Sequence, residues 1–187
     1  HLFNAMRPID RRAPGPIVAL LENPRTTVEL ITDGVHIDPA IYRFVTKAIG
    51  LERISLITDA MAATGMSDGR YHLGPLAVDV AGGVARVAGT DTIAGSTATM
   101  DRVLRFAVTN SGVTRDEALL AAVAQTSVTP ARALGLPNPE LTAGAAADVV
   151  VLDNDLAVIG VLRKGHWVVA PTALIVQYDA LRGRRHS

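Results

Sequence analysis

Two apolar runs of strand length, each ending on a carboxylate and a glycine-containing loop, constrain this chain more than any other feature. The first is Thr27-Val28-Glu29-Leu30-Ile31-Thr32, which exits at Asp33-Gly34 and continues to Val35-His36. The second runs from Arg53 to Thr58, gives way at Asp59, and is followed by small residues as far as Gly65. Between them Asp38-Pro39 has the form of an N-cap and a proline at the first helical position. Ile41, Phe44, Val45, Ala48 and Ile49 then recur at helical spacing until Gly50 stops the run. Strand, helix and strand over Val28 to Thr58 form a βαβ unit, for which right-handed, parallel pairing is the rule. Strands buried on both faces carry short continuous apolar sequence, and in α/β barrels the reactive groups stand at the carboxyl ends of the strands. The repeated pattern therefore predicts an α/β fold, with the last units of a barrel in this region.

Four polar residues fall at predicted strand ends: His1, Asp33, His36 and Asp59. Imidazole and carboxylate held rigidly side by side suit a divalent metal site with an open position for water. Each residue alone carries a plainer reading. A lone histidine is more often a satisfied surface or core residue than a ligand, Asp33-Gly34 is more often a turn, and Asp59 is equally placed to cap a helix starting near Ala60. Arg7, Arg11 and Arg12 lie in a loop that also holds Pro8, Asp10 and Pro14. Guanidinium groups there could clamp an anion such as phosphate, although a solvated charged loop accounts better for two of the three. Gly95-Ser96-Thr97 precedes a helix; its backbone N–H groups could meet a ligand, but an ordinary N-cap is the preferred reading.

Elsewhere the texture is simpler. His1 to Met6 reads as a strand end entering a loop, and Pro16 starts a short helix that Asn23-Pro24 ends. Arg70–Leu73, Leu76–Val80 and Val84–Ala88 are predicted strands, with Gly82-Gly83 as a hairpin turn. Ala98–Thr109 is a predicted helix. Thr114 and Glu117 form a capping box for the next helix, and Thr129–Gly135 makes a further short one. Leu141–Val151 is expected to return to β structure, followed by the strand pair Val158–Leu162 and His166–Val169. The tail Arg182–Ser187 is basic and expected to fray.

Composition narrows the function classes. Half of the 187 residues are apolar, which allows a substantial core, and the 18 basic residues balance the 18 acidic ones. No basic stripe argues for nucleic acid, and no apolar run is long enough to span a membrane. There is no cysteine, so disulfides and thiolate metal sites are excluded. No signal peptide is recognised, and a cytoplasmic location is expected. The chain begins at His1, directly on a motif, which reads as the C-terminal part of a longer protein.

The motifs His1-Leu2-Phe3-Asn4-Ala5-Met6, Asp33-Gly34-Val35-His36, Ile57-Thr58-Asp59-Ala60-Met61-Ala62-Ala63-Thr64-Gly65 and Ala94-Gly95-Ser96-Thr97, in this order and spacing, resemble the N-acetylglucosamine-6-phosphate deacetylases of the amidohydrolase superfamily. The segment Leu141–Asp153 resembles the C-terminal segment of amidohydrolases generally. The resemblance covers His1 to about Val169. It implies the C-terminal portion of a (β/α)8 metal-dependent hydrolase barrel plus part of a small β-sandwich domain. On it, residues 1–139 belong to the barrel with a β-hairpin insertion near 70–90, 140–170 return to the small domain, and 171–187 are a tail.

The resemblance also implies roles. His1 is a ligand of a catalytic divalent metal, zinc or iron; Asp59 is the general base; Asn4, Ala5 and His36 contact substrate; Arg12 binds the sugar phosphate across a homodimer interface, with Arg11 as its fallback. The remaining metal ligands, a glutamate and a histidine on earlier strands, fall outside these residues. Arg7 stands where many members continue Met-Pro. The implied reaction is hydrolysis of N-acetylglucosamine 6-phosphate to glucosamine 6-phosphate and acetate. A different N-acyl sugar phosphate or cyclic amide, or a non-catalytic remnant of the fold, are the alternatives.

Overall fold

The computed structural model describes residues 1–171. They divide into two compact units, one spanning His1–Pro137 and one beginning at Asn138.

In the first unit, helix α1 (Gly15–Glu22) leads to strand β1 (Val28–Ile31), helix α2 (Pro39–Ile49) and strand β2 (Ile54–Ile57). β1 and β2 pair in parallel, Val28 opposite Ile54 and Ile31 opposite Ile57. Val28, Leu30, Ile31, Ile54 and Leu56 are buried, as strands covered on both faces require. α2 begins as its sequence predicts: the Asp38 carboxylate accepts from the Ala40 N–H at 2.7 Å, with Pro39 at the first turn. Arg53, at the entry to β2, ties the βαβ unit to α1. Its guanidinium donates to the carbonyls of Leu20, Leu21, Asn23 and Thr26, closing the end of α1 where carbonyls lack intrahelical partners.

After β2 the chain forms no helix at Ala60, so Asp59 is not a helix cap. A three-stranded antiparallel meander follows, β3 (Gly69–Leu73), β4 (Leu76–Ala81) and β5 (Val84–Val87), with Gly82-Gly83 at its second turn. The Asp68 carboxylate accepts from the N–H groups of both glycines. The meander has its own small core of Met61, Ala63, Val78, Val80, Ala85 and Ala94.

Helices α3 (Met100–Asn110) and α4 (Arg115–Val123) return the chain to the parallel pair, and α3 packs against β2. α4 carries the expected capping box, and an unexpected π-helical turn, Ala124–Val128, joins it to the short α5 (Thr129–Ala133). α5 is anchored beside β2: Thr129 Oγ1 and the Arg132 guanidinium both donate to the Glu52 carbonyl.

The second unit contains β6 (Val149–Leu152), β7 (Val158–Arg163) and β8 (His166–Val169) in an antiparallel meander. Leu141–Asp148, expected to be strand, is irregular: Leu141 is 88% exposed and Gly144 has a φ of +91°. Of the expected strand, only the part from Val149 onward has a pairing strand beside it. The predicted tail Arg182–Ser187 lies outside the described residues.

Candidate active site at the carboxyl ends of the parallel strands

β1 delivers Asp33 to its carboxyl end, and the side chain is 4% exposed. Oδ1 accepts from the backbone N–H groups of Val35 and His36, both at 2.9 Å. Oδ2 lies 2.8 Å from His36 Nδ1 and 2.7 Å from Ser96 Oγ. Asp33-Gly34 is therefore a turn and a polar centre at once. Burial pushes the Asp33 carboxyl pKa up, but hydrogen bonds from the His36 ring, the His36 and Val35 N–H groups and Ser96 outweigh it and hold it well below the usual carboxylate range. The His36 side chain is 5% exposed, its ring fixed through Nδ1.

β2 delivers Asp59, which is exposed. Its φ is +52°, a left-handed conformation that aspartate tolerates better than most residues. The loop after β5 holds it there: Ser96 N–H donates to the Asp59 carbonyl at 2.8 Å, and the Ser96 carbonyl accepts from Met61 N–H at 2.9 Å. Ala60 and Ser96 form an isolated parallel bridge. Gly95 permits this approach, since a Cβ there would stand 3.1 Å from the Asp59 oxygen and 3.3 Å from Met61 Cβ. The N-cap reading of Gly95-Ser96-Thr97 from sequence does not hold. Thr99 occupies the N-cap of α3 without a side-chain bond to the helix backbone, and Ser96 N–H goes to the Asp59 carbonyl. The contribution of Ser96 escaped the sequence reading because its partners, Asp59 and Asp33, lie far along the chain; the three-residue spacing of Asp33 and His36 was the one signal of their pairing.

The other predicted residues bond to groups outside this cluster. The His1–Met6 segment forms turns rather than a strand, and a backbone bond from Leu2 N–H to the Glu29 carbonyl at 2.8 Å sets it beside β1. His1 keeps 42% of its side chain exposed. Phe3 and Ala5 have φ of +75° and +53°; for an aromatic residue this is strained backbone, as is found at ligand-binding segments. Asn4 sits between them, its N–H donating to the His1 carbonyl and its side-chain amide to the Leu2 carbonyl. Arg7, Arg11 and Arg12 are exposed, and the backbone N–H of Arg12 donates to Asp10. The described residues hold no group of three or more His, Cys, Asp or Glu side chains placed to bind a metal ion. The donor set among the described residues therefore does not make a complete metal site.

Parallel strands joined by an outer helix, each handing a carboxylate to the same rim, define the site type of an α/β-barrel protein. Comparison with known proteins narrows this: the amidohydrolase family model matches residues 1–168, and the chain belongs to that family. The fold is accordingly that of the amidohydrolase barrel, of which this chain represents a part. The family is generally metal-dependent.

A solved structure of N-acetyl-D-glucosamine-6-phosphate deacetylase from Mycobacterium smegmatis, a point variant in complex with N-acetyl-D-glucosamine-6-phosphate, is 69% identical, with a TM-score of 0.89 over 91% of this chain and 45% of that one. The human N-acetylglucosamine-6-phosphate deacetylase is 40% identical over 97% of this chain and 43% of its own length. An N-acetylgalactosamine-6-phosphate deacetylase of Escherichia coli O157:H7 is 42% identical over 84% of this chain and 41% of its own. The chain thus spans less than half the length of each of these relatives. No helix among the described residues is long and apolar enough to cross a membrane.

Proposed function

We propose that this chain is the C-terminal part of an enzyme that hydrolyses the acetamide of N-acetylglucosamine 6-phosphate to glucosamine 6-phosphate and acetate. The observation that carries this reading is the pair of groups at the ends of adjacent parallel strands, Asp59 on β2 and the Asp33-held His36 after β1. It occurs on a chain 69% identical to a deacetylase bound to that sugar phosphate. On this reading residues 1–139 are barrel, with the meander near 70–90 as an insertion, residues 140–170 belong to the small β-sandwich domain, and 171–187 are a tail.

Amide hydrolysis needs an activated nucleophile and a protonated leaving group. Asp59 suits both demands in turn. Exposed at the strand end, its carboxylate takes a proton from the attacking water and returns it to the departing amine. His36 contacts the substrate through the ring edge opposite Nδ1. The left-handed turn at Phe3-Asn4-Ala5 presents the Asn4 side chain and the backbone of Ala5 to the sugar. Arg12, or Arg11 beside it, pairs with the phosphate, in a homodimer that lets the arginine reach a neighbouring site. His1 contributes one ligand to a divalent ion, zinc or iron, whose other ligands would come from outside this chain. A phosphorylated sugar does not cross a bilayer unaided, which supports a cytoplasmic location.

A second reading keeps the chemistry and changes the sugar to N-acetylgalactosamine 6-phosphate, favoured by the 42% identity to the Escherichia coli enzyme of that name. The test is acetate release by the complete, metal-loaded gene product from both phosphorylated sugars and from unphosphorylated N-acetylglucosamine. Turnover of N-acetylglucosamine 6-phosphate well above the other two is expected. Preference for the galacto epimer would establish the second reading, and no acetate from any of them would overturn both.

A further inference from the structure

Ser96 makes five hydrogen bonds while only 2% exposed. Its N–H and carbonyl hold the Asp59 carbonyl and the Met61 N–H, and its carbonyl also accepts from Thr64 Oγ1 at 3.1 Å. Its hydroxyl accepts from Ala98 N–H at 3.0 Å and lies 2.7 Å from Asp33 Oδ2. A hydroxyl has one proton, and a carboxylate facing two N–H groups, a hydroxyl and an imidazole nitrogen is acceptor-only. The Ser96 proton therefore points to Asp33, and His36 Nδ1 carries a proton that it donates to the same oxygen. The imidazole is left with Nε2 as its free position.

We propose that Ser96 is a positioning residue that couples the two halves of the site. Its main chain holds the strand end that presents Asp59, and its hydroxyl, through Asp33, fixes the orientation and the Nδ1–H tautomer of His36. Asp33 is the second positioning residue of the same chain of contacts. This rests on the reading of Asp59 and His36 as substrate-facing groups. Partners of this kind behind a working histidine change activity by roughly 10–100-fold when removed.

The test has two readouts on the complete, metal-loaded protein. The first is the tautomer of His36, one of five histidines, read from the 15N shifts and ring couplings of histidine-labelled protein. The wild type is expected to show the Nδ1–H form. Asp33→Asn is expected to convert a neutral ring to Nε2–H. The backbone N–H groups of Val35 and His36 keep the amide oxygen where Oδ1 stands, so the amide nitrogen takes the place of Oδ2 and donates to Nδ1. An Nε2–H ring in the wild type, or an Nδ1–H ring that persists in Asp33→Asn, would overturn the proposal.

The second readout is a double-mutant cycle on acetate release from N-acetylglucosamine 6-phosphate. Ser96→Ala keeps the backbone bonds to Asp59 and Met61. It is expected to lower kcat about 10-fold or more, and to have less than a ~2-fold further effect in a His36→Gln background. Equal losses in both backgrounds would mean that Ser96 acts on the fold alone and would sink its role. Should Ser96→Ala fail to fold, the tautomer of Asp33→Asn decides. A wild-type protein that releases no acetate but carries the Nδ1 proton on His36 defeats the substrate reading and supports the network.

Discussion

Asp59 pairs a carboxylate with a left-handed backbone, and this combination decides which substitution tests it fairly. Asparagine shares the tolerance of aspartate for positive φ, so Asp59→Asn removes the charge and leaves the φ of +52° unstrained. On the proposed chemistry that variant loses turnover, on the order of 100-fold or more, with an unchanged melting temperature; turnover at the wild-type rate would remove Asp59 from the role of general base. Asp33 differs because its charge is structural. Its carboxyl pKa lies below the ordinary value of 3.8 in the folded protein, so folding favours the ionised form. The resulting stability is fully present above about pH 4 and is lost as pH falls toward the lower, folded-state value. Asp33→Asn is expected to cost about 1–3 kcal/mol at neutral pH through its charge-assisted hydrogen bonds. The gap between the two proteins in urea denaturation narrows from pH 5 to pH 3; a gap of constant size would mean that Asp33 is not ionised and stabilising in the native state.

Among the elements, the parts legible in the sequence are those fixed by local chemistry. The Asp38-Pro39 start of α2, the Thr114–Glu117 capping box and the Gly82-Gly83 turn depend on residues within a few positions of one another, and all three form as read. What depends on distant partners was not legible. The π-helical turn Ala124–Val128 buries Gln125, whose side-chain oxygen accepts from the Tyr42 hydroxyl across the sequence. The expected strand at Leu141–Asp148 is apolar enough, but small residues and a glycine give it little to pack, and a partner strand exists only from Val149 onward. In the site, Asp59 and His36 were found from their positions after strands, while the serine that joins them sat in a loop of ordinary composition. The approach of that loop to Asp59 depends on Gly95. Its φ of +69° disfavours a side chain, and a Cβ there, 3.1 Å from the Asp59 oxygen, would press the two segments apart. Gly95→Ala is expected to destabilise by about 1 kcal/mol or more and to lower turnover beyond what the lost stability explains. A variant of normal activity and stability would show that the two segments separate without cost.

On the proposed function, the question for the molecule as a whole is how the substrate's phosphate is held, because among the described residues no arginine or lysine side chain bonds to Asp33, His36, Ser96 or Asp59. The arginines nearest to the motif at His1, namely Arg7, Arg11 and Arg12, lie in an exposed loop, and the Arg12 guanidinium shows no carboxylate partner among the described residues. A guanidinium left free in this way is available to a fork of phosphate oxygens, and in an exposed loop it can serve a neighbouring copy as readily as its own chain. Phosphate bound alike in ground and transition states contributes to KM and little to kcat. Arg12→Ala in the complete protein is therefore expected to raise KM for the phosphorylated sugar about 10-fold or more, with kcat nearly unchanged. If the arginine serves a partner's site, mixing Arg12→Ala with an Asp59→Asn protein restores turnover at substrate concentrations below the raised KM. Each mixed dimer then carries one site with an intact base and an intact arginine. A rise in KM without restoration on mixing would place Arg12 in its own subunit's site, and an unchanged KM would pass the phosphate to Arg11.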